Sequence, residues 1–281
     1  MHKGELVHRL GDEAGLPKIV DAVVLVSMGE MARDPLVDYA VASVRKAGKW
    51  KGEVYLLTDS PKCFTNTASE YKVQVVPIPT KQSLMDIKSL KAKLLDHVPE
   101  HVQSVLYLDV DIVVARELDY FLNMIGRDLA RNNNNSTSTR PFDFAAFGDA
   151  KGHYVGFCAG CEKWHTGVMI LRRGQGSKCL QAWADLLKSG RYGTDQESLD
   201  AAERSGACRK AYMLPSQYLL FAKDYIAALL TTGHTFVHVT SAARLGQQDS
   251  FYRSFVVPRI RGAMRGQLDD VKILGGGIKA C

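Results

Sequence analysis

Residues 105–114 read VLYLDVDIVV, an apolar run broken by two aspartates one residue apart, Asp109 and Asp111. Alternation along a β-strand points both carboxylates to one side and Val110 to the other. Two ionised carboxylates cost too much to bury unpaired in a segment this apolar. Their simplest use is as oxygen ligands for a hard divalent cation at the carboxyl end of a buried strand, where open α/β sheets place their ligands. A cation held there points to chemistry on a phosphate-bearing substrate.

The flanking sequence supplies the sheet. Residues 19–28 (IVDAVVLVSM), 53–58 (EVYLLT) and 72–78 (KVQVVPI) are apolar and β-branched, and predict three strands before the aspartate run. Pro77 predicts an edge position or a strand end for the third. Residues 35–47 open on Pro35, carry Leu36, Tyr39, Ala40, Val44 and Ala47 on one helical face, and close at Gly48. Residues 83–97 predict a further helix, with Leu84, Ile87, Leu90, Leu94 and Leu95 inward and Lys88, Lys91 and Lys93 clustered. Downstream, 142–147, 167–171 and 234–240 are strand-like. Residues 194–204 are helical, and so are 177–188, which put Leu180, Trp183, Ala184 and Leu187 on one face. Strands alternating with helices mean βαβ units: an α/β fold with an open, mainly parallel central sheet flanked by helices.

Composition excludes more than it selects. The 281 residues can bury a large core, and 46% hydrophobic with 23% charged is ordinary for a globular chain. A net charge of +6 suits an anionic ligand, but without a long Lys/Arg run it gives no case for nucleic acid. No stretch approaches about 18 consecutive apolar residues, so no transmembrane segment is expected. The N-terminus lacks the apolar core of a secretory signal, which leaves a cytoplasmic chain or the soluble part of a longer Golgi-type protein. Of six cysteines only Cys158 and Cys161 form a CxxC, too little for a zinc site, and the six are expected as reduced thiols. Asn134 and Asn135 open N-x-S/T sequons, which matter only in a secreted chain.

Mg²⁺ and Mn²⁺ take about six ligands. Two aspartates, two diphosphate oxygens and a water leave one place. His238, near the carboxyl end of the last strand, fills it, and an imidazole favours Mn²⁺ over Mg²⁺.

In this order along the chain, the pieces resemble the GT-A fold of nucleotide-sugar glycosyltransferases, and in particular the retaining glycosyltransferase family 8 and its relatives. The LYLDxD strand is followed by FAAFGDA at 144–150, similar to the family's Ala-Ala-x-x-Asp. HTGVMILR at 165–172 is similar to its Asn-Ser-Gly-Val strand, and Asp195-Gln196 to its Asp-Gln pair at a helix start. HVTSAAR at 238–244 keeps the spacing of its His-x-x-Gly-x-x-Lys motif. The resemblance spans roughly residues 20–245. It implies Asp109, Asp111 and His238 as metal ligands, with Mn²⁺ or Mg²⁺ as cofactor. It implies Ser27, Lys91 (or Lys88), Val110, Ser241 and Arg244 at the nucleotide diphosphate, and Asp149, His165, Thr166, Gly167 and Asp195 at the donor sugar. Gln196 and Asp195 become the catalytic candidates, the Gln196 amide oxygen against the cationic sugar and Asp195 on its hydroxyls. One GT-A-like domain then fills 1–281. Residues 18–125 form its nucleotide-binding half, 131–140 a polar loop, and 141–281 the donor-sugar and acceptor half.

The pattern departs from the family at several positions. His165 and Thr166 replace Asn and Ser, Ser241 replaces Gly, and Arg244 replaces Lys, with a guanidinium fork that clamps a diphosphate at least as well. Thr194 or Asp195 also reads simply as a helix cap. The expected activity is metal-dependent transfer of a sugar from a nucleotide diphosphate, a UDP-sugar before a GDP-sugar, to an unidentified acceptor with retention. Two other readings stay open. One is a haloacid-dehalogenase-type phosphatase or phosphotransferase, for which Asp109, Asp111 and Val113 fit the Asp-x-Asp-x-Val pattern but normally on the first strand. The other is a nucleotide-sugar-binding protein with a degenerate site. The basic tail, with Arg253, Arg259, Arg261 and Arg265, either closes over the diphosphate or is plain surface.

Overall fold

A computed structural model of the chain describes residues 18–80, 83–131, 142–148, 163–174, 176–208, 210–221, 234–238 and 281. Asp149, Ser241, Arg244, the basic tail, the sequons and the CxxC pair lie outside the described residues.

The first half alternates as expected. Strand β1 (Ala22–Ser27) leads to helix α1 (Pro35–Lys46), β2 (Glu53–Thr58), α2 (Thr65–Tyr71), β3 (Gln74–Pro77), α3 (Leu84–Ala92) and β4 (Ser104–Asp109). α1 starts where Pro35 supplies a pre-set φ and the Asp34 carboxylate accepts from the Leu36 amide at 2.8 Å. β3 is an edge strand, which tolerates the missing N–H of Pro77. The helix expected over 83–97 ends at Ala92, and a 3-10 turn at Leu94–His97 follows it.

Three strands and three helices follow in the second half: α4 (Leu118–Arg131), β6 (Phe144–Gly148), β7 (Trp164–Arg172), α5 (Ser177–Lys188), α6 (Asp195–Arg204) and β8 (Ala211–Leu214). The sequence analysis assigned nothing to 118–131, although Leu118, Phe121, Leu122, Ile125 and Leu129 form a buried stripe at helical spacing. The central sheet has seven strands in the order β3-β2-β1-β4-β7-β6-β8. Four pairings are parallel and two, β4–β7 and β6–β7, antiparallel, so it is the mainly parallel α/β sheet expected.

The aspartate run departs from the expected single strand. β4 stops at Asp109, the chain turns at Val110 and Asp111, and β5 (Ile112–Val114) joins a separate three-stranded sheet with β10 (Phe236–His238) and β9 (Leu219–Phe221). Strand alternation therefore governs Asp109 but not Asp111. The small sheet sets the position of His238: in antiparallel register it pairs with Ile112, which brings its ring beside Asp111.

Apolar alternation buries both faces of the central sheet. Leu106, Leu108 and Val110 belong to one core with α1 and α4. Val105 and Tyr107 belong to the other, with Leu90 of α3, Trp183 of α5 and Leu199 of α6. Val110 thus points into the first core, so its side chain is not placed for the expected nucleotide contact. The cysteines correct the expectation of reduced thiols: Cys179–Cys208 and Cys63–Cys281 are disulfides. Neither pairing is readable from spacing, because their partners are 29 and 218 residues apart. No helix among the described residues is long and apolar enough to cross a membrane.

Candidate functional site

Period-2 alternation carries Asp109 to the same face as Tyr107, and that face is covered by α3 and α6. The carboxylate meets two groups there. The Tyr107 hydroxyl donates to Asp109 Oδ1, and Lys91 Nζ lies 2.9 Å from Oδ1 and 3.1 Å from Oδ2. Lys91 sits in the last turn of α3, buried at 9% exposure. Its ammonium also donates to Asp195 Oδ2 at 2.8 Å. Lys88, one turn earlier on the same helix, reaches Asp195 Oδ1 at 3.2 Å. Both lysines weighed on the sequence thus take part: they share Asp195, and Lys91 also reaches Asp109.

Asp195 is held from several sides. Thr194, not Asp195, caps α6: its hydroxyl accepts from the Glu197 amide at 3.0 Å within a full capping box. That frees the Asp195 side chain to accept from Thr166 Oγ1 at 2.7 Å while its backbone carbonyl accepts from Trp183 Nε1 at 3.0 Å. Asp195 occupies the first turn of α6, where the helix dipole favours an anion. Gln196 follows it, half-buried.

The second half of the cluster is aromatic. His238 Nε2 lies 3.2 Å from Asp111 Oδ2. The His165 ring stands 5.2 Å from the His238 ring, centroid to centroid, at 64°. Between His165 and Asp109 lies Gly167: a Cβ there would come within 2.6 Å of His165 Cε1 and 3.1 Å of Asp109 Oδ2. Ser27 ends β1 fully buried, its hydroxyl without a hydrogen-bond partner among the described residues.

Charge follows from these neighbours. Burial works against the Lys91 ammonium, but Asp109 and Asp195 outweigh it and hold its pKa well above the usual lysine value. Burial would raise Asp195 as well, yet Lys91, Lys88 and the Thr166 hydroxyl hold it well below the carboxylate range. Asp109 is raised, by burial first and then by the charges of Asp111 and Asp195, against the pull of Lys91. Asp111 is lowered, because its bond with His238 outweighs burial. Burial, with the nearby charges of His238 and Lys91, brings His165 down to about 3, so its imidazole is neutral. Burial and the Asp109 charge push the Tyr107 phenol up, so it stays a donor.

Of the expected metal trio the structure joins two. Asp111 meets His238, while Asp109 is drawn to Lys91 and Tyr107. Among the described residues no group of three or more His, Cys, Asp or Glu side chains is placed to hold a metal ion. Asp111 Oδ1 is buried without a hydrogen-bond partner among the described residues, and such an oxygen calls for an unseen partner. Gly167 keeps open a space that a Cβ would fill.

Tyr107, Lys88 and Thr194 are the parts that sequence reasoning passed over or left undecided. The first had a signal in its own run, since residue 107 shares a strand face with residue 109.

An open α/β sheet whose strand ends gather a buried cluster of acids, lysines and imidazoles defines the class: a Rossmann-like α/β fold. No protein-family model matches the sequence, and no curated protein does. Among solved structures the chain is similar to the glycosyltransferase GlyE of Streptococcus pneumoniae TIGR4, at 20% identity over 77% of this chain and 54% of that one, with a TM-score of 0.52. An active-site mutant of LgtC is similar at 12% identity over 77% of this chain and 86% of that one, with a TM-score of 0.50. Mouse xyloside xylosyltransferase 1, in its apo form, gives 12% identity, coverage of 77% and 96%, and a TM-score of 0.47. The chain thus has the GT-A fold of glycosyltransferases, and it spans about half the length of GlyE.

Proposed function

We propose that this chain is a metal-dependent glycosyltransferase. It transfers a sugar from a nucleotide diphosphate, a UDP-sugar before a GDP-sugar, to an acceptor with retention of anomeric configuration. The observation that carries the reading is the meeting of His238 with Asp111 at 3.2 Å, where Asp111 keeps a buried oxygen without a hydrogen-bond partner among the described residues. The fold shared with GlyE and the LgtC mutant supports the same reading.

The residues divide the work by charge. Transfer breaks the bond between the sugar C1 and the β-phosphate oxygen, so negative charge grows on the leaving diphosphate and positive charge on the sugar. Asp109, Asp111 and His238 would hold a Mn²⁺ or Mg²⁺ ion, which when bound supplies electrostatic stabilisation of the leaving diphosphate. Lys91 and Lys88 add fixed positive charge, already oriented by Asp109 and Asp195, so little reorganisation is needed as the reaction proceeds. Asp195, kept ionised, accepts hydroxyls of the donor sugar, and the Gln196 amide oxygen faces the cationic ring. Neutral His165 and Thr166 border the sugar side, with Gly167 giving it room. Asp149, Ser241 and Arg244 complete the proposed contacts to sugar and diphosphate, and Ser27 those to the nucleobase. The two disulfides favour an oxidising compartment.

The test is a panel of UDP- and GDP-sugars with Mn²⁺, read by release of the nucleoside diphosphate, with p-nitrophenyl phosphate in parallel. Slow donor hydrolysis that falls about 10²–10³-fold in Asp111→Asn is expected, the usual effect of losing one preorganised group. Phosphate release from the aryl ester would point instead to a phosphatase. Binding of a nucleotide sugar without turnover, whatever the acceptor, would leave a binding protein.

A further inference from the structure

We infer that Tyr107 is a positioning residue for sugar transfer. Through its hydroxyl it fixes Asp109, and through Asp109 it holds the Lys91 ammonium where the leaving diphosphate would meet it. The inference rests on the glycosyltransferase reading above and deepens it, because the sequence resemblance gives residue 107 no role.

Three observations carry it. The first is where the hydroxyl goes. Alternation along β4 puts residues 107 and 109 on one face, and Tyr107 is fully buried there, in the core it shares with Leu90 of α3 and Leu199 of α6. A phenylalanine would fill that core without the cost of burying a hydroxyl, so the hydroxyl has to be matched by a partner. Its partner is Asp109 Oδ1.

The second is that Lys91 shares this oxygen. Lys91 Nζ lies 2.9 Å from Asp109 Oδ1, and it stands over the Tyr107 ring at 5.4 Å from the centroid. Tyr107 thus engages both members of the ion pair, the carboxylate with its hydroxyl and the ammonium with its ring face. An aspartate free to turn would carry the ammonium with it. A carboxylate bonded at one oxygen by a buried phenol is fixed.

The third is what continues from Lys91. The same ammonium donates to Asp195 Oδ2 at 2.8 Å, and Thr166 Oγ1 donates to that oxygen at 2.7 Å. Tyr107, Asp109, Lys91, Asp195 and Thr166 therefore form one chain of hydrogen bonds carried by β4, α3, α6 and β7, with a hydroxyl at either end. Each hydroxyl has a single proton to give, and each gives it to a carboxylate. A lysine on its flexible stem loses much rotamer freedom when held. Here that loss is met on folding, before a donor arrives, which is the condition for stabilising a leaving group without reorganisation.

The experiment compares the wild type with Tyr107→Phe, which keeps the ring and loses the hydroxyl. Nucleoside diphosphate release is followed across the panel of UDP- and GDP-sugars above, and kcat and KM are measured on the member that the wild type hydrolyses fastest. Separately, with no donor present, reductive methylation of Lys91 is followed by mass spectrometry. A fall in kcat of about 10²-fold with KM within about threefold is expected, the scale of a roughly 1 Å misplacement in a catalytic site. Lys91 is expected to be methylated about tenfold faster, the factor that losing one hydrogen bond to a charged group allows. An unchanged kcat, or a lower kcat with Lys91 as protected as in the wild type, would overturn the inference and leave the glycosyltransferase reading standing. A rise in KM alone would do the same, since it marks lost donor binding. A wild type that hydrolyses no member of the panel would overturn the reading, and the inference with it. A melting curve separates misplacement from lost fold. Should Tyr107→Phe not fold, Asp109→Asn cuts the same link from its other end: faster methylation of Lys91 there supports the inference, and unchanged protection overturns it.

Discussion

Lys91 on α3 and Asp195 at the head of α6 are 104 residues apart in the chain, yet their charged atoms are 2.8 Å apart in the interior. The same ammonium bridges to Asp109, so one lysine neutralises two carboxylates carried by different elements. Removing it leaves buried charge without compensation, which costs far more than the intact pair contributes. Lys91→Met is expected to lower stability by about 3–5 kcal/mol, read as a fall in the urea midpoint. Combining it with Asp195→Leu is expected to recover part of that loss. A single variant within about 1 kcal/mol of wild type would mean the bridge is a solvated surface contact.

Gly167 is where close approach decides. A methyl there meets the His165 ring at 2.6 Å and Asp109 at 3.1 Å, so the imidazole must move. Gly167→Ala is expected to fold normally and to lose about 10²-fold in donor hydrolysis, the scale of a roughly 1 Å misplacement in a catalytic site. Unchanged turnover at unchanged melting temperature would show the gap has no part in the chemistry.

The Cys179–Cys208 bridge joins the first turn of α5 to the chain just beyond the C-terminus of α6, the helix that Asp195 opens. On a chain-entropy account, closing a loop of this length stabilises by about 3–4 kcal/mol. Replacing both cysteines with alanine is expected to lower the guanidinium midpoint accordingly. Thiol titration of the unfolded, unreduced protein checks the premise: detection of Cys179 or Cys208 as free thiols would remove it.

Asp21 ties β1 to β4 by accepting from the Gln103 and Ser104 amides and the Ser104 hydroxyl at 2.9–3.0 Å. Burial works to raise its pKa, but the Ser104 hydroxyl, Lys18 and the two amides together outweigh it and lower it. A carboxylate lowered in the folded state binds more protons when unfolded, so its contribution is present above the unfolded value, near pH 4, and is lost as pH falls through the folded one. Asp21→Asn is therefore expected to destabilise at neutral pH and to flatten the loss of stability between about pH 4 and pH 2. Parallel acid limbs for wild type and variant would contradict the assignment.

Much of the frame was legible in the residues themselves. The β2 strand and the α5 helix fall on the expected spans because each is a local pattern: a β-branched run, or Leu180, Trp183, Ala184 and Leu187 at helical spacing. The Asp-x-Asp pair announced itself for the same reason, as charge inside an apolar run. β8 and β9 were not legible, being too short, at four and three residues, to show a period.

The associations that make the cluster belong to the tertiary structure. Strand pattern alone takes Asp109 and Asp111 to one side, but the chain turns between β4 and β5 and sends them to different partners, Lys91 and His238. Composition could not choose between Lys88 and Lys91, nor pair Cys63 with Cys281, because each choice depends on which elements pack together. Local periodicity determined the strands and helices of this protein; the sheet order and the register of β5 against β10 decided which buried charges meet, since Coulomb and hydrogen-bond forces act over a few ångströms of space irrespective of separation in sequence.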